Sequence, residues 1–164
     1  MQCLKCGKTI SDDSRFCRFC GAETAVSFPQ KSVPVLAQDL YFQTLDTNAT
    51  CERKINEWLS RMQIRLKSVS VVSGGRTGLT GMQSVPQKVT FTYVNDSSAP
   101  QYFWGYVSSM AILGNAMQKT DEDFEKWKAK NPQCRILWSG TGSSRYIRGS
   151  AGQAASRWFI YTLD

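Results

Sequence analysis

Between residues 48 and 66, apolar side chains recur every three or four positions, which is the spacing of an amphipathic helix with one buried face. Asp46 or Asn48 offers a side chain that can cap the start of this helix, and we expect the helix to end near Met62. The apolar stripe consists of Cys51, Ile55, Trp58, Leu59, Met62 and Leu66.

Strand patterns dominate the chain after this helix. Residues 88–94 alternate between apolar and polar side chains, and residues 66–72 are rich in β-branched residues. Because most of the gaps between strands have hairpin length, the pattern favours an antiparallel sheet. Further strand candidates are residues 101–107, 135–139, 145–148 and 156–163.

Two more helices are predicted in the second half of the chain. A short buried helix is expected around residues 110–117, and Thr120 with Asp123 has the spacing of a capping box for another helix that ends before Pro132. With about six strands and about three helices, residues 45–164 are expected to form a compact α+β domain with an antiparallel sheet. No internal repeat of fixed period is visible.

Residues 25–44 have the composition of a linker. Pro29 and Pro34 interrupt a stretch of mostly small and polar side chains. Residues 39–43 are locally apolar and are interpreted as a short strand or a segment docked on the main domain. The predicted organisation is therefore a small N-terminal unit in residues 1–24, a linker in 25–44 and the α+β domain in 45–164.

The N-terminal unit contains two Cys-x-x-Cys pairs separated by ten residues. Zinc prefers four tetrahedral ligands, and thiolate is among its favoured donors. Gly7 and Gly21 follow the two pairs, and glycine tolerates the positive φ that lets backbone N–H groups approach the sulfurs. Two disulfides or an iron–sulfur cluster are the alternatives, but doubled pairs of this spacing favour zinc. The predicted ligands are Cys3, Cys6, Cys17 and Cys20.

Metal binding also explains how so small a unit folds. Ile10 and Phe16 are the only bulky apolar residues between the two pairs, which is too few for a core. A structural zinc site supplies on the order of 10 kcal/mol or more of folding free energy. Because four protein ligands complete the coordination sphere, no open position is left for catalysis by the metal.

The segments Cys-Leu-Lys-Cys-Gly and Ser-Asp-Asp-Ser-Arg-Phe-Cys-Arg-Phe-Cys-Gly resemble the short zinc-ribbon module found at the N-termini of many bacterial proteins. The resemblance covers residues 1–24 and implies a small β-hairpin with two zinc knuckles and one structural Zn²⁺ bound by four cysteines. Members of this family contact nucleic acids or proteins, so the resemblance implies the metal and leaves the partner open. Residues 45–164 resemble no family that we recognise.

Charge adds a second possibility. The net charge is +7 and the sequence pI is about 9.2, which permits attraction to nucleic acid or to an acidic partner. Residues 126–163 contain seven basic residues and no acidic residue, and aromatic residues lie between them. Such a surface suits backbone contact and base stacking, unless the aromatics form core and the cations are simply solvated. The candidate nucleic-acid-binding residues are Arg135, Arg145, Arg148 and Arg157.

No motif in the sequence indicates an active site. The chain contains no histidine, and the glycine-rich segment 73–81 lacks the Gly-Lys-Ser/Thr ending of a P-loop. Cys51 and Cys134 are therefore interpreted as structural residues. We expect a non-enzymatic adaptor or binding protein whose N-terminal unit docks on a protein; nucleic-acid binding is the alternative, and an enzyme of unrecognised type is a weaker one. Without an apolar signal core or spanning segment, we expect a cytoplasmic location.

Overall fold

The computed structural model describes residues 2–11, 14, 16–23, 33–78, 81–111, 115–145 and 152–163, with the backbone alone at 76–78, 81, 82 and 145. The chain divides into two compact units, Met1–Val33 and Pro34–Asp164. The first unit contains the four clustered cysteines, and the second contains all of the helices and long strands in the described part of the chain.

The second unit has two antiparallel three-stranded sheets and two helices, which confirms the predicted α+β class. The sheet orders are β1-β3-β2 and β4-β6-β5. Neither helix is long and apolar enough to cross a membrane. In chain order the elements are β1 (Leu36–Tyr41), α1 (Asn48–Ser60), β2 (Ile64–Gly78), β3 (Gly81–Asn95), β4 (Phe103–Ala111), α2 (Ala116–Lys130), β5 (Cys134–Arg145) and β6 (Gln153–Leu163).

The described residues form two helices and not the three that were predicted. The apolar positions at 110–111 end strand β4, and α2 starts at Ala116, where the Asn115 side chain accepts hydrogen bonds from the N–H groups of residues 117 and 118. Thr120 therefore lies inside the helix, and its hydroxyl bonds carbonyl oxygens of Ala116 and Ala155. The capping box at Thr120 is wrong because Asn115 caps one turn earlier.

The start of α1 differs from the prediction, whereas β1 and the buried Phe42 agree with the expectation of a short strand or docked segment at residues 39–43. Thr47 caps α1 by accepting a hydrogen bond from the Thr50 N–H, so neither of the two expected residues is the cap. Strand β1 lies within the predicted linker 25–44 and pairs along its whole length with β3. Its apolar residue Leu40 packs against the core, and Phe42 just after it is buried, which explains why this segment belongs to the main unit.

The second unit contains the same topology twice. The order strand, helix, strand, strand occurs twice, and in both repeats the first strand pairs with the third. The second strand of each repeat has a register shift at its fourth residue, Lys67 in β2 and Leu137 in β5. The two βαββ repeats therefore share a bulge position as well as an order of elements.

Aromatic packing repeats as well. Trp58 of α1 stacks on Phe91 with ring centroids 4.8 Å apart, and Tyr93 lies at its edge at 6.0 Å. In the second repeat, Trp127 of α2 lies 4.5 Å from Phe159 and 5.3 Å from Tyr161. The equivalent residues are 68 or 69 positions apart. The repeat is structural and has no fixed period in the sequence, because the few matching residues are separated by offsets that drift between elements.

The two repeats share one core. Helix α1 packs against β3 of its own repeat and against β4 of the second repeat, whereas α2 packs on the opposite face of the second sheet. Strand β6 consequently has both faces buried, with Trp158 and Ile160 in the shared core and Phe159 under α2. The core cluster is Phe42, Cys51, Ile55, Leu59, Ile64, Val89, Phe91, Tyr93, Tyr102, Trp104, Trp158 and Ile160.

Two asparagines of α1 bind the repeats together. Buried Asn48 donates to the Ser84 carbonyl at 2.9 Å and accepts from the Trp158 indole N–H at 2.9 Å. Asn56 accepts from the Trp104 N–H at 2.7 Å and donates to the Trp104 carbonyl at 3.0 Å. The second amide thus pairs with the outer edge of β4 as a neighbouring strand would, and protects that edge.

The outer face of the first sheet is polar. Lys88 Nζ lies 2.8 Å from Asp39, and the Thr90 hydroxyl donates to the same carboxylate at 2.7 Å. The hydrogen bond from Lys88 and then that from Thr90 hold the pKa of Asp39 below its usual value, and Asp39 raises the pKa of Lys88. Thr90 occupies the position in the first repeat that Trp158 occupies in the second. The corresponding face of the second sheet is apolar and buried, whereas this face of the first sheet is polar and solvated, so the layers end at this sheet.

Candidate metal centre

Two identical turns position the four cysteines of the first unit. After each pair a glycine adopts a left-handed conformation, with φ of 70° at Gly7 and 67° at Gly21. The N–H of each glycine donates to the carbonyl of the first cysteine of its pair at 2.8 Å. Single β-bridges, Gln2 with Thr9 and Phe16 with Glu23, close the two turns. Glycine is needed at these two positions because a Cβ would strain a positive φ.

The four sulfurs converge on one point. All of them lie within 4.8 Å of one another, with Cys3 and Cys20 3.7 Å apart and Cys6 and Cys17 3.6 Å apart. A tetrahedron with Zn–S bonds of about 2.3 Å separates its sulfurs by about 3.8 Å. A disulfide needs about 2.05 Å, and an iron–sulfur cluster would hold the thiolates farther apart around several irons. The geometry therefore fits a single Zn²⁺.

Hydrogen bonds from backbone N–H groups favour the thiolate form of the cysteines, which is the form that binds a metal cation. Burial opposes ionisation of Cys17, but the N–H groups of Phe19 and Cys20 outweigh it and lower the pKa of Cys17 to about 6. The N–H groups of Cys6 and Lys5 likewise lower the pKa of Cys3. For Cys20, the Ala22 N–H favours the thiolate, but burial and the neighbouring sulfurs raise the pKa to about 12. Four crowded thiolates repel one another, and a bound dication removes that repulsion.

The interior of this unit is too small to hold it together. Among its described residues, only Cys3, Ile10 and Cys17 form a buried cluster, with Ala22 packed against them. Two of those three side chains are metal ligands, so the metal holds most of the buried cluster together. Since all four ligands come from the protein, the site has the composition of a structural zinc centre.

Comparison with known families agrees with this geometry. Residues 2–24 match the family model of the zinc-ribbon domain. This segment is a zinc ribbon. A search of curated proteins and a search of solved structures gave no match to the chain. The ribbon brings together all four cysteines that the sequence analysis selected, and its cofactor is one structural Zn²⁺.

The four candidate arginines are placed differently. Arg135 is exposed on β5, whereas Arg157 on β6 is half-buried, 2.6 Å from Asp121 and over the ring of Phe124. Their strand partners place these two arginines on opposite faces of the sheet, so they do not share one surface. The side chain of Arg145 and the whole of Arg148 lie outside the described residues. Their role in nucleic-acid binding stays a prediction.

Other candidate positions have structural roles. Cys51 is fully buried in the core, and Cys134 is half-buried at the start of β5. Most of the glycine-rich segment 73–81 lies in the hairpin of β2 and β3. At its base, a Cβ on Gly142 would meet the Ser73 Oγ at 2.6 Å, so glycine permits β5 to approach β2 here.

The exposed apolar surface of the ribbon was not predicted from the sequence. Large apolar side chains are exposed on it, although the unit is only some two dozen residues long. The signal was present, because a unit whose core is Ile10 and two ligands has no room to bury the others. The exposed residues are Leu4, Phe16 and Phe19.

Proposed function

We propose that this is a non-enzymatic zinc-ribbon protein whose ribbon docks on a protein partner. The observation that carries the proposal is the exposure of the ribbon's apolar side chains: 96% for Leu4, 60% for Phe16 and 48% for Phe19. Exposed apolar groups concentrated on so small a unit are typical of an interaction surface. Zinc-dependent folding fits this role, because the metal stabilises the unit without an apolar core that would bury these side chains.

The charges around this surface favour a partner that is both apolar and acidic. Lys8 Nζ lies 4.7 Å from the centroid of the Phe19 ring, and the Arg18 guanidinium carbon lies 4.9 Å from it. A cation beside an exposed ring offers dispersion contact and charge at the same point. Aromatic and arginine side chains are also enriched in protein interfaces.

The non-enzymatic part of the proposal is supported by the composition of the chain. The sequence lacks histidine, and four cysteines fill the coordination sphere of the zinc. A metal so enclosed stabilises the fold without presenting a position for substrate.

The experiment compares two nearly equally exposed leucines by in-cell crosslinking and mass spectrometry. Leu4→Gln alters the ribbon, and Leu45→Gln is the matched control because Leu45 is 92% exposed in the α+β unit. We expect Leu4→Gln to lose the partners crosslinked to the wild type, with zinc content unchanged, and Leu45→Gln to retain them. Equal partner sets for both variants would contradict docking through the ribbon.

Nucleic-acid binding is the second candidate, and one contact favours it. A nucleobase could stack on Phe19 while Lys8 and Arg18 contact phosphates. Fluorescence anisotropy with 20-nucleotide RNA and DNA at several salt concentrations distinguishes the candidates. The nucleic-acid hypothesis predicts an affinity for RNA or DNA that falls steeply with salt concentration, and a shallower salt dependence in the Lys8→Gln variant. That result would favour nucleic acid over a protein partner. No binding at low salt would exclude it.

A further inference from the structure

A cavity of about 340 Å³ opens in the α+β unit where strand β2 of the first repeat faces β5 of the second. The two residues at the paired bulges, Lys67 and Leu137, both line it. The bulge positions of the two repeats therefore border the same cavity. The complete lining is Leu66, Lys67, Ser68, Val69, Tyr102, Leu137, Trp138 and Ile160.

The lining is amphipathic, with a single sign of charge. Five of the eight residues are apolar or indole side chains, and Lys67 is the only charged one. Among the described residues Lys67 has no carboxylate partner, whereas its neighbour Arg65 pairs with Asp96 at 2.7 Å. Lys67 and Ser68 are exposed, and Tyr102 is buried. The lining therefore combines an apolar wall with hydroxyl-bearing residues and one exposed lysine that has no ion-pair partner in the described part of the chain.

We propose that this cavity binds a small apolar monocarboxylate, with the hydrocarbon body against Trp138 and Leu137 and the carboxylate at Lys67. The volume lies near the lower end of small-molecule sites, which span about 300–1,000 Å³ and often occur between structural units. A neutral ligand would leave the lysine unpaired, and a dianion would face a single cation. This binding site is separate from the ribbon and does not depend on its partner.

The two repeats place different residues at equivalent positions of this site. Two lysines at the bulges would repel each other, and two leucines would offer no cation to a carboxylate. Here one copy supplies the charge and the other the apolar contact. A bulge redirects its side chain out of the regular pleat, so the same backbone irregularity serves both roles.

The first test uses decanoate as the probe and decanol as its uncharged counterpart, added to the full zinc-loaded chain. Binding is followed by ¹H–¹⁵N NMR, and Trp138→Phe assigns the Trp138 indole signal. We expect saturable shifts of that signal with decanoate and about tenfold weaker binding of decanol. Equal affinity for the two probes, shifts confined to residues 2–23, or no shift at millimolar decanoate would overturn the proposal.

Paired variants locate the carboxylate. Lys67→Gln should weaken decanoate binding about tenfold without affecting decanol, whereas Arg53→Gln, an exposed cation on α1, should change neither. If the two variants weaken decanoate equally, the attraction is only to the overall positive charge, and the assignment of Lys67 fails.

A second pair locates the apolar body. Leu137 is 44% exposed, so Leu137→Glu is compatible with folding while placing a like charge in the cavity, and it should weaken decanoate more than tenfold. Val72→Glu is the control, because Val72 is 56% exposed on β2 and does not line the cavity. Retained binding in Leu137→Glu would place the ligand elsewhere.

Discussion

The zinc ribbon and the α+β unit are stabilised in different ways. The ribbon buries Cys3, Ile10 and Cys17, and two of these are metal ligands, whereas the α+β unit buries a cluster of twelve side chains around Trp104 and Trp158. One unit depends on a bond that a chelator removes, and the other depends on apolar area that a chelator does not affect. The difference implies that each unit can be unfolded without the other, and the following variants test that independence.

The largest effect is expected from Cys17→Ser. Loss of one thiolate should abolish stoichiometric zinc binding and unfold the ribbon, since zinc supplies on the order of 10 kcal/mol or more to such a unit. Native mass spectrometry measures the zinc, and tryptophan fluorescence follows the α+β unit, which contains all five tryptophans. We expect the thermal transition followed by tryptophan fluorescence to be unchanged. Cys134→Ser is the control and should keep its zinc. A lowered fluorescence transition in Cys17→Ser would contradict the independence of the two units.

The converse variant is Ile55→Ala in the core. Ile55 is fully buried on α1 between the two repeats, and its truncation should lower the free energy of unfolding of the α+β unit by about 2–5 kcal/mol. Urea unfolding followed by tryptophan fluorescence measures this change, and zinc stoichiometry should stay at one. Val72→Ala, at an exposed position, should cost less than about 0.5 kcal/mol. Loss of zinc in Ile55→Ala would show that the units fold together.

A smaller effect is expected from Asn48→Ala. The substitution leaves the buried Trp158 indole N–H and the Ser84 carbonyl without their amide partner, which should cost about 1–3 kcal/mol. Asn95→Ala, at the exposed end of β3, is the control. Equal stabilities of the two variants in urea would mean that the amide does not join the repeats.

The smallest effect concerns pH. The folded pKa of Asp39 is lowered, so its ion pair contributes stability above the unfolded pKa, and that contribution is lost as pH falls through the folded pKa. Urea midpoints should therefore decrease below about pH 4, and the decrease should be shallower in Asp39→Asn. Because the outer face of the first sheet is solvated, the difference should be small. Identical acid profiles for the two proteins would exclude this contribution.

Local spacing explains what the sequence could predict. The ribbon's ligands lie within 18 residues of one another, so Cys3 and Cys20 meet through two short turns, each of which is indicated in the sequence by a glycine. Helix α1 was likewise predicted from its own stripe, which the core confirms at Cys51, Ile55 and Leu59. In both cases the residues that define the structure are neighbours in the chain.

Long-range features escaped prediction for the converse reason. The structural repeat depends on matches such as Phe91 with Phe159, and the cavity depends on Lys67 and Leu137 lining the same space. No local pattern marks such pairs, because a bulge or a helix cap shifts the register by one residue without changing the composition. The local apolar character of residues 39–43 indicated a short strand or docked segment, but the bounds of β1 depend on its pairing with β3, which no local pattern marks.

The position of β6 in the chain has a consequence for biosynthesis. This strand is the centre of the second sheet and supplies Trp158 and Ile160 to the shared core, yet it follows the other seven described elements of the α+β unit in the chain. The ribbon has its fourth ligand by residue 20 and can close on zinc at once. Helix α1 can pack on β3 early, but its contacts with the second repeat must wait for β4 and β6, so the nascent chain presents a finished metal module attached to an unfinished fold.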